Sequence, residues 1–277
     1  MTNSPFRKLK QKKIRLSASF GKRRFYFFLA AVTATLLVLA GSFLDESLGL
    51  HVVATFVKLG LAWLAFMLAR QSGYLDPAGD GRLFSPYLLL ILPPLVYTLL
   101  AYLGPIRPET GAELIVLSLL GTLATALWEE LYFRLWGRIL FEEEGRYRPF
   151  DFLFTALVFG AMHLVNLAAA PFGEVAVQAM LAVITGLFLQ TVYAAGGSLR
   201  LLILFHFLMN AITLLVGRYL VPDAGSRFFP ALAAPAALLI GAYFALSAAI
   251  LARRRKLFGE GRSLFGKRGQ KTGTFRR

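Results

Sequence analysis

Eight times along the chain, a run of roughly 20 apolar residues is closed off by charge, glycine or proline, and roughly that length lets an α-helix cross the hydrocarbon core of a bilayer. No water is available there to satisfy exposed backbone, so such runs must be helical. The predicted spans are 25–44, 50–69, 86–104, 111–140, 151–170, 174–195, 199–220 and 230–252. The expected fold class is all-α: a polytopic membrane protein of about eight transmembrane helices around a buried active-site cavity. Asp45-Glu46 closes the first span, Pro93-Pro94 should kink the third, and Pro171 with Gly173 breaks the fifth. The charged stretch 142–149 reads as a solvated loop. A hydrophobic content of 57% against 16% charged residues excludes an ordinary soluble domain.

Charge is concentrated at the ends. Of 30 basic residues, nine precede Phe25 and ten follow Ala252, while the net charge is +15. Basic tails over 1–24 and 253–277, bracketing an apolar core over 25–252, are what the positive-inside rule expects of two cytoplasmic ends lying on anionic lipid. An even number of spans puts both termini on one side, and the short loops on that side are also the more basic. The chain is therefore expected to be an integral protein of the plasma (inner) membrane with both termini cytoplasmic. Nucleic acid is not expected as a partner, because no aromatic-interleaved basic module accompanies the charge. The basic leader and long apolar run read as a signal anchor rather than a cleaved signal peptide. With no cysteine, the chain has no disulfide, thiol nucleophile or Cys-type metal site.

Within the fourth span lie two adjacent carboxylates and an arginine: Glu129, Glu130 and Arg134. Each uncompensated charge in hydrocarbon costs several kcal/mol or more. Glu130 and Arg134 are four apart with the acid first, the favourable order for a helical ion pair. Glu129, rotated about 100° away, needs another partner. His163 and His206 are the deeply placed histidines. The topology puts Glu129 one or two turns from the cytoplasmic end of its span, with His163 and His206 about 18 and 10 Å into theirs. His206 and Asn210 share a helical face, and Phe159 lies one turn from His163 with Gly160 and Ala161 between, small enough for another helix to approach. An acid, two imidazoles and an amide converging in a dry cavity suit hydrolysis, in which one group takes a proton from water and donors stabilise the oxyanion.

These residues resemble a known family. Glu-Glu-x-x-x-Arg at Glu129 to Arg134, Phe-x-x-x-His at Phe159 to His163 and His-x-x-x-Asn at His206 to Asn210 look like the three motifs of the CPBP intramembrane proteases. That family, also called Abi, includes the type II CAAX prenyl endopeptidases and bacteriocin-processing or immunity proteins. The motifs stand in the family's order on three predicted spans, over about 111–220. The resemblance implies an intramembrane endopeptidase acting on a membrane-associated peptide or protein near the cytoplasmic face. It implies that Glu129 and His163 activate water, that His206 and Asn210 form the oxyanion hole, and that Glu130, Arg134 and Phe159 support the site. A prenylated substrate is not assumed.

Two mechanisms stay open. The metal-free, glutamate-dependent route is preferred and needs no cofactor; the other would hold a divalent ion such as zinc on Glu129, His163 and His206. Two other classes compete: a non-catalytic immunity or scaffold protein binding a peptide in the same cavity, and a transporter using the buried groups as a proton relay. The latter is disfavoured by the lack of an inverted repeat. Of the remaining residues, His51 reads as a solvated loop residue, Lys58 as snorkelling or paired with Glu113, and Trp128, Tyr132 and Trp136 as interface or packing aromatics.

Overall fold

The structure, a computed structural model, describes residues 20–48, 52–71, 87–101, 111–143, 146–168, 170–219 and 228–255. His51, most of the stretch 70–85 between the second and third predicted spans, residues 105–110 between the third and fourth, residues 222–225 between the seventh and eighth, and most of both basic tails lie outside these residues. The helices are α1 (Phe20–Leu48), α2 (Val53–Gln71), α3 (Leu88–Ala101), α4 (Ala112–Glu129), α5 (Gly137–Phe141), α6 (Pro149–Met162), α7 (Phe172–Ala194), α8 (Leu199–Tyr219) and α9 (Phe228–Arg255). A π-helical segment, Glu130–Trp136, joins α4 to α5 without interruption, and a 3-10 segment, His163–Ala168, extends α6. Among the described residues, five of the resulting rods are long and apolar enough to cross a membrane: Gly21–Leu48, Val53–Gln71, Ala112–Phe141, Pro149–Ala168 and Phe172–Ala194. The chain is a polytopic helical membrane protein.

Its polarity is arranged accordingly. Phe25, Leu36, Phe56, Trp63, Leu89 and Phe172 face outward, whereas Glu130, Arg134, Asp151, Gln190 and His206 are buried inside. Lipid accepts apolar side chains, and polar groups find partners only within the bundle. α2 packs on α1 and α4, α4 on α8, and α7 on both α6 and α9.

Several boundaries differ from the sequence expectation, each for a local reason. α1 begins at Phe20 and runs on through Asp45-Glu46 to Leu48. Rather than closing α1, Asp45 caps α2, its carboxylate accepting the backbone N–H groups of Val52, Val53 and Ala54 at 2.8–2.9 Å. These donors have no partner within their own helix. At the other end of α1, two cations assigned to the N-terminal tail turn into the protein. Arg23 donates to the Leu140 carbonyl at 3.2 Å. Arg24 pairs with Asp151, which is fully buried in the first turn of α6, and lies 4.4 Å from the centre of the Phe150 ring. α3 continues through Pro93 and Pro94. Pro171 starts α7 as its N-cap, while the preceding helix tightens to 3-10 geometry from His163.

The described residues of the predicted solvated loop at 142–149 are paired and partly buried. Glu142–Glu143 pairs antiparallel with Arg146–Tyr147, and Tyr147 is buried against Phe152. Burial and the nearby Glu142 carboxylate raise the Tyr147 hydroxyl well above the ordinary phenol range, so it stays a donor, 3.3 Å from Glu142 Oε2.

α6 and α7 approach closely at Gly160. A Cβ there would stand 2.3 Å from Val183 Cγ2 and 2.8 Å from the Ala179 carbonyl oxygen. Only glycine permits this contact. Ala161, the second small residue beside the histidine, is exposed instead. Gly186 of α7 makes the complementary space, since a Cβ there would come within 3.1 Å of the Phe159 ring.

Candidate active site

Glu129 ends α4 and Glu130 opens the π segment. The i→i+5 bonding of a π-helix widens the coil, so successive side chains are rotated by less than the α-helical 100°. The two carboxylates therefore share a partner instead of taking separate ones. His206, from α8, places Nδ1 2.8 Å from Glu130 Oε1 and Nε2 3.5 Å from Glu129 Oε2. The expected Glu130–Arg134 ion pair is present at 3.1 Å, without the angle of a hydrogen bond. Both of its members are almost wholly buried. Glu130 is thus held between a guanidinium and an imidazole. An ionised carboxylate only accepts, so His206 donates through Nδ1–H.

His163 is fixed by the change of helix type at its own position. Its backbone N–H turns to the carbonyls of Gly160 and Ala161 rather than to Phe159, four residues back. The Phe159 carbonyl then accepts from His163 Nδ1–H at 3.0 Å. This contact sets the tautomer, leaving a lone pair on Nε2. Phe159 also organises the site through its ring. The ring stands edge-on to His163 and Phe133, at 5.1 and 4.9 Å between centres, and lies 4.7 Å from the Arg134 guanidinium carbon.

Beside this cluster is a cavity of about 560 Å³, and Glu129, His163 and Asn210 all line it. Phe133 and Phe159 border it at one end. Beyond Glu129 its wall continues through Thr125 and Thr122 on α4, Asn166 past His163, and Gln178 near the start of α7. All of these positions lie toward the helix ends remote from the N-terminus of α1. Asn166 Nδ2 donates to Gln178 Oε1 at 2.8 Å, bridging the 3-10 segment to α7. His206 is not on the wall but behind Glu129. Glu129 stands 12 residues from Phe141, about 18 Å along the helix. That is deeper than the expected one or two turns, and comparable with His163, 14 residues into α6.

Two features were missed in the sequence. One is the double contact of His206, which depends on a ring offering nitrogens on two sides. The other is Lys58. Its expected partner Glu113 is exposed, and Lys58 instead lines the same cavity as Glu129. Trp136 and Tyr132 are packing residues as expected, donating to the carbonyls of Ala65 and Phe27.

As arranged, the side chains do not form a metal centre. Among the described residues no three His, Asp or Glu side chains are grouped to hold an ion. Both nitrogens of His206 face carboxylates, and His163 Nδ1 is engaged by Phe159.

Comparison with known families adds a decisive finding. Residues 111–212 match the family model described as type II CAAX prenyl endopeptidase Rce1-like. This segment is similar to that family. The matched region contains all three motifs, from Glu129 through Asn210, and bears out the resemblance drawn from them. An Rce1-like segment with the site's carboxylates inside an apolar bundle supports a membrane peptidase. No curated protein and no solved structure matches the chain.

Proposed function

We propose that the protein is an intramembrane endopeptidase of eight spans, using Glu129 and His163 to activate water. The observation that carries this reading is the single cavity onto which Glu129, His163 and Asn210 open, with His206 joining Glu129 to Glu130 behind it. Water held between Glu129 and His163 Nε2 gives a proton to the Glu129 carboxylate as its oxygen attacks the scissile carbonyl carbon. The carbonyl π electrons move to oxygen, and the Asn210 amide donates a hydrogen bond to the resulting oxyanion. His206, whose Nδ1–H is given to Glu130 and whose Nε2 faces Glu129, holds the two carboxylates in register from behind the wall, so the oxyanion role falls to Asn210 unless the ring turns when substrate binds. As the oxyanion collapses, the C–N bond breaks and Glu129 returns its proton to the leaving amine. Arg134 and Phe159 keep Glu130 and His163 in place.

No step in this scheme uses a metal or other cofactor. With the termini cytoplasmic, Glu129 and His163 stand about 18 and 21 Å from the cytoplasmic ends of their helices, near the middle of the bilayer. The cavity extends away from those ends, so the peptide enters from the face opposite the termini. The substrate is a membrane-associated peptide or protein.

The test compares membrane proteomes of cells carrying wild type or Glu129→Gln, with new C-termini mapped and folding of the variant confirmed. C-termini that depend on Glu129 support the reading. Identical maps, with both proteins folded and present, overturn it and leave a peptide-binding immunity or scaffold protein as the account of the cavity.

A further inference from the structure

Lys58 lies on α2, which begins at Val53 within an apolar span, and its side chain lines the cavity that holds Glu129. An ammonium in such a place is costly without an anion. Among the described residues Lys58 forms no hydrogen bond or ion pair. Glu129 and Asp45 act on it only through space. Each has other commitments: Asp45 accepts three N–H groups at the start of α2, and Glu129 faces His206. The ammonium's donors are therefore available to whatever fills the cavity. Much of the surrounding wall is apolar, including Val38, Met162, Val165 and Leu214. A ligand suited to these surfaces carries apolar side chains and one negative charge. About 560 Å³ is room for a short peptide rather than a folded chain.

We propose that Lys58 binds the free C-terminal carboxylate of the peptide in the cavity, making it a specificity-determining residue for substrates cut close to their C-terminus. This rests on the endopeptidase reading for its biological meaning, but its binding chemistry can be measured without cleavage.

The experiment titrates full-length protein in detergent with N-acetylated trileucine as the free acid and as the C-terminal amide, by calorimetry. A hydrogen bond between charged groups predicts about tenfold to a hundredfold tighter binding of the acid. The preference should collapse in Lys58→Met and return in Lys58→Arg. It should persist in Glu129→Gln, which distinguishes direct contact from an effect transmitted through Glu129. Equal affinities for acid and amide in wild type, or a preference that survives Lys58→Met, overturn the proposal. So does Lys58-dependent binding of a short-chain phosphatidic acid without any acid-over-amide preference, which would assign the cation to a lipid headgroup. An intact acid preference with no Glu129-dependent cleavage in cells would uphold the carboxylate site while removing the endopeptidase reading.

Discussion

Glu129 and Glu130 are neighbours in sequence with opposite environments. Glu130 has a fully buried side chain between Arg134 and His206, whereas the Glu129 side chain is 13% exposed at the cavity. Replacing Glu130 by glutamine removes the anion beside a buried guanidinium, a loss expected to cost about 3–5 kcal/mol. A lower thermal midpoint in detergent and a poorer yield of folded protein would show it. Glu129→Gln should melt much closer to wild type, yet lower cleavage by about 100- to 10,000-fold, the usual contribution of a general base. A cleavage assay on the same preparations reads both effects. In the metal-free scheme, exhaustive chelation leaves cleavage of a mapped substrate unchanged; loss of activity that returns with added zinc would contradict it. The Glu130–Arg134 pair was legible because i,i+4 spacing is a local property. The place of Lys58 was not, since its cavity is assembled from α1, α2, α4, α6, α7 and α8 together with the π and 3-10 segments.

At the scale of elements, apolar runs made the helices readable, while changes of helix type within them were not. Neither the π segment at Glu130–Trp136 nor the 3-10 segment at His163–Ala168 has a sequence marker as plain as a proline. Their backbone bonding depends on how neighbouring helices pack, and both fall where the site's side chains are aimed. The Gly160 contact was anticipated as a close approach, although its partner could not be named. Adding one methyl there, as Gly160→Ala, drives a carbon into Val183 and the Ala179 carbonyl. Overpacking of this kind costs about 1–3 kcal/mol, and because His163 follows three residues later, cleavage should fall as well. Val183→Ala in the same chain should recover part of the stability, because it removes the side-chain clash. It leaves the backbone clash, so full recovery would show that α6 and α7 can separate freely at this point.

Across the described residues, large apolar side chains face outward, and the buried charges Glu130, Arg134 and Asp151 are paired within. The Arg24–Asp151 contact ties the start of α1 to the start of α6, two ends that an alternating path through the bilayer places on the same side. That path assigns Gly21, Gln71 and Arg200 to the face bearing the termini, and Leu48, Gly111 and Gly173 to the opposite face. All six are exposed. Because the chain has no cysteine, single substitutions at these positions can be probed without a native background. In intact cells, a membrane-impermeant maleimide should label cysteine at 48, 111 and 173 and spare cysteine at 21, 71 and 200 until the membrane is opened. The cavity adds a sharper expectation. Thr122 lines it on the side away from the termini, so Thr122→Cys should react with a small impermeant thiol reagent added from outside, and a bound apolar peptide should slow that reaction. Labelling at 21, 71 and 200 instead would invert the orientation. Reaction of Thr122→Cys only after the membrane is opened, with the outer positions still labelled, would mean that the cavity is reached from the cytoplasm, and the proposed entry side would be wrong.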